Sequence, residues 1–161
     1  MKEVEFIRVE EVQVFTLRGS DRENQMPFLR FLLENGSDFM MSNIPMEIAI
    51  SLSVYLSKTK VNDSRLKIHD LVSQLAIVEK VEIDSLVPGT GVYQATITLT
   101  PEGFSNFLHF PMIPSNATLL AVLNQAPIFV SERLWREYIK TAKIHIDDDL
   151  AENDEGLSDF R

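Results

Sequence analysis

From Val4 to Leu17 the chain reads VEFIRVEEVQVFTL, apolar and polar residues alternating for much of its length. Alternation with Val, Phe and Ile in the apolar places predicts a strand with one buried face. RGSDRENQ (Arg18 to Gln25) is polar and reads as a loop. PFLRFLLENGSDFMMS (Pro27 to Ser42) predicts two strands around Asn35-Gly36, a pair that accepts the positive φ of a tight hairpin. The period then changes. In PMEIAISLSVYLSK (Pro45 to Lys58), Ile48, Leu52 and Tyr55 recur at helical spacing, and Pro45 suits a first helical position because its missing N–H costs nothing there. DSRLKIHDLVSQLA (Asp63 to Ala76) predicts a second helix, capped by Asp63 or Ser64 and apolar along Ile68, Leu71, Val72 and Leu75.

The second half repeats this plan. IVEKVEIDSL (Ile77 to Leu86) predicts a strand with Ile77, Val81 and Ile83 on its buried face, VPGTG turns the chain, and VYQATITLT (Val92 to Thr100) is a β-branched strand. FSNFLHFPMI (Phe104 to Ile113) predicts a third strand. PSNATLLAVLNQ (Pro114 to Gln125) predicts a helix, and APIFVS (Ala126 to Ser131) a short buried strand. SERLWREYIKTAK (Ser131 to Lys143) predicts a last helix capped by Ser131, with Leu134, Trp135, Tyr138 and Ile139 on its apolar face. NIPMEIAISLSV and MIPSNATLLAVL both enter a helix through Ile-Pro, 69 residues apart. The expected fold is therefore a single α+β domain of two duplicated β-β-β-α units, a mostly antiparallel sheet packed with helices, over residues 1–145.

Composition narrows the chemistry. There is no cysteine, which removes disulfides, zinc–thiolate sites and cysteine nucleophiles together. Charge is scattered through MKEVEFIRVEEV, unlike a signal peptide, and no apolar run reaches the ~18 residues of a membrane helix. The expectation is a cytoplasmic protein that does not enter membranes. Net charge is −9, but residues 147–161 hold seven acids against one arginine, which leaves only −3 for residues 1–146. Residues 146–161 are thus expected to be an acidic, solvated tail with too little apolar surface to order itself. No cluster of Lys and Arg marks a phosphate-backbone groove.

Motifs for phosphate loops, nucleophile elbows and dinucleotide binding are absent, and no two histidines stand at a metal-ligand spacing. His69, beside Asp70 on the second helix, is either a histidine bonded to a nearby carbonyl or carboxylate, or a general base. His109, on a strand among Phe107, Leu108 and Phe110, is expected to be structural or at the surface, and His145 solvated. Acids that hold Mg²⁺ would converge from separate elements, with Asp70, Glu82 and Asp84 the first to consider. Asp84 ends a strand before a turn, where it either caps the turn or serves a site. Ser115 and Asn116 either cap the third long helix or leave its N–H groups free to hold an anion.

The order of IHDLVSQL, VEKVEIDSL, VYQATITL, IPSNATLLAVL and QAPIFVSERL resembles the bifunctional nuclease (BFN) domain family of bacteria and plants, over roughly residues 1–140. The resemblance implies a two-unit α+β domain, phosphodiester hydrolysis of RNA or DNA, and self-association. Carried over residue by residue, it points to His69, Asp70 and Asp84 as catalytic positions and to Ser115 and Asn116 as anion- or substrate-binding positions. No cofactor is evident; for a nuclease, Mg²⁺ or Mn²⁺ is the metal to test. The family pattern has an arginine before Pro-Ser and an aspartate after it, where this chain has Ile113 and Asn116. Losing both charges together can be nearly neutral for a structural ion pair, and fits a lost site equally. A non-catalytic, self-associating module that binds a protein partner or a small anion is the alternative.

Overall fold

The computed structural model describes residues 3–17, 26–60 and 63–141. The polar loop expected at 18–25, His145 and the acidic segment from 146 onward lie outside the described residues. The elements follow the chain as β1 (Phe6–Leu17), β2 (Met26–Leu33), β3 (Asp38–Met41), α1 (Met46–Leu56), α2 (Ile68–Leu75), β4 (Ala76–Leu86), β5 (Tyr93–Pro101), β6 (Leu108–Met112), α3 (Pro114–Asn124), β7 (Ile128–Ser131) and α4 (132–141). The seven strands form one sheet in the order β3-β2-β1-β7-β4-β5-β6. Every pairing is antiparallel except β4 with β7. Each half contributes three sequential antiparallel strands and then a helix, so the fold is the α+β duplication that the sequence implies.

β7 joins the halves. It runs antiparallel to β1 and parallel to β4, and three of its four residues are buried. An apolar strand this short gains most at the centre of a sheet, where both edges and both faces are covered. The sheet also curls. Phe39 on β3 and Tyr93 on β5 are five strand steps apart, yet their ring centroids are 5.1 Å apart. In a flat sheet they would stand about 24 Å apart. The inner face therefore closes on itself, and Tyr138 of α4 fills the remaining gap, 4.9 Å from Phe39. Leu29, Phe31, Val81, Ile83, Ile97 and Val130 line this face and are almost fully buried.

α3 sits at the centre of the helical layer, with seven of its eleven residues buried. Its apolar residues surround the whole helix, as befits a helix packed on every side. α4 belongs to the same core. Ser131 Oγ accepts the Leu134 N–H at 3.4 Å, Trp135 Nε1 donates to Ser37 Oγ at 3.2 Å, and Leu134 is buried. Its aromatic residues are thus spent within the chain.

Three local expectations need correction. α2 starts at Ile68, not Asp63, because Asp63 turns back onto Arg65 at 2.8–3.1 Å and Asp70 takes over the helix start. Pro45 is the N-cap residue of α1 and not its first helical residue. On β4 a bulge between Val78 and Lys80 puts Val78 on the inner face with Val81 and Ile83. Ile77 is left outside, because one extra residue reverses which side chains face the core.

Candidate functional site

α1 ends and α2 begins at the same place, which brings three polar side chains together. Asp70 is the third residue of α2, and its Oδ2 accepts the Lys67 N–H at 3.0 Å. That bond satisfies a free donor at the helix start and sets a negative charge at the positive end of the dipole. Its other oxygen, Oδ1, accepts the Tyr55 hydroxyl at 2.8 Å. The same hydroxyl oxygen stands 3.2 Å from His69 Nε2, with the two rings edge to face. A phenol has one hydrogen, and here it goes to the carboxylate. The contact with His69 then requires Nε2 to carry the hydrogen, and Nδ1 is the ring atom left to take up a proton.

Protonation follows the same geometry. Burial pushes the Tyr55 hydroxyl up to about 12, helped by its bond to Asp70 and by that charge. Burial works against ionised Asp70. The Lys67 N–H, the Tyr55 hydroxyl, and the nearby His69 and Lys67 outweigh it and hold the carboxyl below its ordinary range. At neutral pH Asp70 is therefore a carboxylate and Tyr55 a neutral phenol.

His69 lines a cavity of about 410 Å³ where α1, α2 and α3 meet. Ile48, Val72, Met112, Leu119 and Leu120 provide apolar wall, and Glu47, Ser51, Lys67, His69 and Asn116 the polar groups. An imidazole, an ammonium and an amide on one apolar cavity form a set that can bind an anion and move a proton.

The residues singled out in the sequence divide among three places. His69 and Asn116 line this cavity, and Asp70 joins them only through the Tyr55 hydroxyl that it shares with His69. Ser115 is 3% exposed and lines a separate cavity of about 190 Å³ with Asn43, Ile44 and Ile113. Neither Ser115 nor Asn116 caps α3: Ile113 is the N-cap residue and no side chain bonds the first turn. Asp84 lies on the other side of the sheet. It occupies a bulge of β4 and accepts the Thr96 and Ser85 hydroxyls at 2.7 and 3.2 Å. Thr96 stands between inward-facing Ala95 and Ile97, so its side chain points outward. Asp84 and His69 therefore share no cleft, and their joint action on one phosphate does not fit this fold. His109 is also on the outer face, its Nδ1 3.0 Å from Thr98 Oγ1.

Among the described residues, no three His, Asp or Glu side chains gather to hold a metal ion. Both oxygens of Asp70 are already engaged. Nor is any described helix long and apolar enough to cross a membrane.

The model of the bifunctional nuclease domain matches residues 32–146, well over half of the chain. The chain belongs to that family. No curated protein matches it. The matched span contains all of the cavity, and with it Tyr55, Lys67 and Glu47, which sequence reasoning passed over. Tyr55 lies 14 residues from His69, so no local spacing joins them. Of the two departures from the family pattern, Asn116 lines the His69 cavity and Ile113 the Ser115 cavity.

Proposed function

We propose that this bifunctional nuclease domain hydrolyses phosphodiesters of RNA or DNA at the cavity between α1, α2 and α3. The observation that carries the reading is that His69, Lys67 and Asn116 line one cavity. His69 Nδ1 takes the proton of the attacking hydroxyl or water as that oxygen bonds to phosphorus; the opposite P–O bond breaks, and the leaving oxygen takes its proton from solvent water. The Lys67 ammonium and the Asn116 amide meet the non-bridging phosphate oxygens, whose charge grows as the nucleophile arrives. Tyr55 and Asp70 are positioning residues. They fix the imidazole tautomer, and the Asp70 charge favours the imidazolium formed by proton transfer. Ser115 and Asp84 take no part in this arrangement.

The test is incubation of the purified protein with single-stranded RNA and DNA, in Mg²⁺, in Mn²⁺ and in EDTA, beside a His69→Ala variant. Wild type should cleave, and the variant should lose ~10²–10⁴-fold, the usual contribution of a positioned acid–base group. Equal cleavage by both proteins, or none by either, would refute this assignment. No cleavage would leave the alternative, a non-catalytic self-associating module. That alternative is favoured by the acidic net charge, by a sequence with no cluster of Lys and Arg, and by the exposed apolar residues beside the cavity.

A further inference from the structure

Helix α1 turns a polar stripe toward the His69 cavity. Glu47, Ser51 and Tyr55 recur at i, i+4 and i+8, so they stand one above another on one face, about 6 Å per step. Glu47 and Ser51 line the cavity, and the Tyr55 hydroxyl meets His69. Ser51 is the unusual member. Other helical hydroxyls bond back to the carbonyl of the preceding turn: Ser53 to Ala49 at 2.9 Å, Ser73 to His69 at 3.0 Å and Thr118 to Pro114 at 2.7 Å. That back-bond is a common outlet for a hydroxyl inside a helix. Ser51 is 4% exposed and makes no hydrogen bond among the described residues; its side chain lines the cavity instead. A buried hydroxyl calls for a partner, and here both its donor and its acceptor are left for whatever enters.

The cavity walls divide by polarity. On the α2 and α3 side, Lys67 and Asn116 present N–H donors suited to phosphate oxygens. On the α1 side, the Glu47 carboxylate offers acceptors and Ser51 a hydroxyl, a pair that suits a neutral hydroxyl better than an anion. We infer that this α1 wall reads the 2′-hydroxyl of a ribose, so that the cavity takes a single-stranded ribonucleotide in preference to a deoxyribonucleotide, with Ser51 deciding between them.

Three observations support the choice. The first is spacing. Ser51 stands one helical turn from Tyr55, whose hydroxyl meets His69. The 2′-hydroxyl is on the sugar carbon next to the one that bears the 3′-phosphate, whereas the amino groups of the bases lie a whole sugar further away. A phosphate beside His69 and its own ribose beside Ser51 match that short step. The second is size. About 410 Å³ holds one nucleotide and no duplex, and Ile48, Val72 and Leu119 give a base an apolar wall. RNA is commonly read in this way, through single nucleotides splayed out of the stack, and the 2′-hydroxyl is what distinguishes it from DNA. The third is charge. A chain that carries −9 offers little general attraction to a polyanion, so selection falls to close contacts of this kind. Deoxyribose presents only C–H at that carbon and would leave the buried hydroxyl unpaired.

The position of the phosphate rests on the proposed function, and the test separates the two. Calorimetry on the full chain compares adenosine 3′-phosphate with 2′-deoxyadenosine 3′-phosphate. Wild type should bind the ribonucleotide about 10–100-fold more tightly, as expected for one hydrogen bond whose buried partner is otherwise left unpaired. Ser51→Ala should erase that preference while keeping its affinity for the deoxynucleotide and the wild-type circular dichroism spectrum. Ser51→Cys, close in shape but a weak donor and acceptor, decides the matter if Ser51→Ala does not fold. A wild type that binds the two nucleotides equally, or binds neither, overturns the inference, as does a Ser51→Ala protein that keeps the preference. Single-stranded RNA and DNA of one sequence complete the test. Equal kcat/KM on both overturns the ribose reading and leaves the nuclease standing. A ribonucleotide preference in binding without any cleavage refutes only the nuclease.

Discussion

Replacing Tyr55 by Phe removes one oxygen and leaves the ring. That atom donates to the Asp70 carboxylate at 2.8 Å and meets His69 Nε2 at 3.2 Å. A hydrogen bond to a charged group contributes about 1.5–3 kcal/mol to stability. Tyr55 is only half-buried and Asp70 keeps its bond to Lys67, so solvent screening brings the expected loss to about 1–1.5 kcal/mol. For a domain of this length that lowers Tm by about 2–6 °C.

The pH dependence makes this prediction specific. The Tyr55 hydroxyl is raised from its ordinary 10.0 to about 12 in the folded protein. A raised pKa contributes stability that is full below pH 10 and disappears as pH climbs toward 12. Asp70 is lowered from its ordinary 3.8, so its contribution is present above that value and is lost as pH falls through the folded pKa. The gap between wild type and Tyr55→Phe should therefore be flat through neutral pH and close at both extremes. Urea denaturation of both proteins across the pH range measures it directly. A variant as stable as wild type at pH 7, or a gap that persists unchanged to pH 12, would refute the hydrogen-bond geometry. If His69 is also the general base, Tyr55→Phe should lower kcat more than it raises KM, because the tautomer it fixes matters only when the proton moves.

Other outcomes follow from single positions. Gly36 turns the β2–β3 hairpin at φ +83° with open space around a Cβ, so Gly36→Ala should cost about 1–2 kcal/mol from backbone conformation alone, read as a lower Tm. Phe39 is fully buried against Phe31, Tyr93 and Tyr138, and Phe39→Ala should cost about 3–5 kcal/mol in denaturant titration. The partly exposed Phe15, stacked on Phe28, should cost clearly less when cut to Ala. Asp84→Ala should leave any cleavage rate unchanged, because that carboxylate bonds Thr96 and Ser85 away from the cavity; a 100-fold loss would return it to the active site.

Much of the architecture could be read along the chain. Strands, helices and the duplicated order were legible because a period of two or 3.6 is a local property, and Gly36 and Pro114 mark their turn and helix start through backbone restriction alone. The identity of the family was legible because its motifs are stretches of consecutive residues. What those residues meet was not. The β4 bulge that turns Ile77 outward adds no signal to IVEKV. Asp84 and His69 look equally eligible in sequence, yet the strand pleat sends one to the outer face and α2 carries the other to the helical layer. Tyr55 became part of the site only when the end of α1 met the start of α2. The outer stripe of α2 makes the same point. Its spacing established that Ile68, Leu71 and Leu75 share a face, but periodicity cannot say what covers that face. Only packing decided that the core took Val72 and left the other three at the surface.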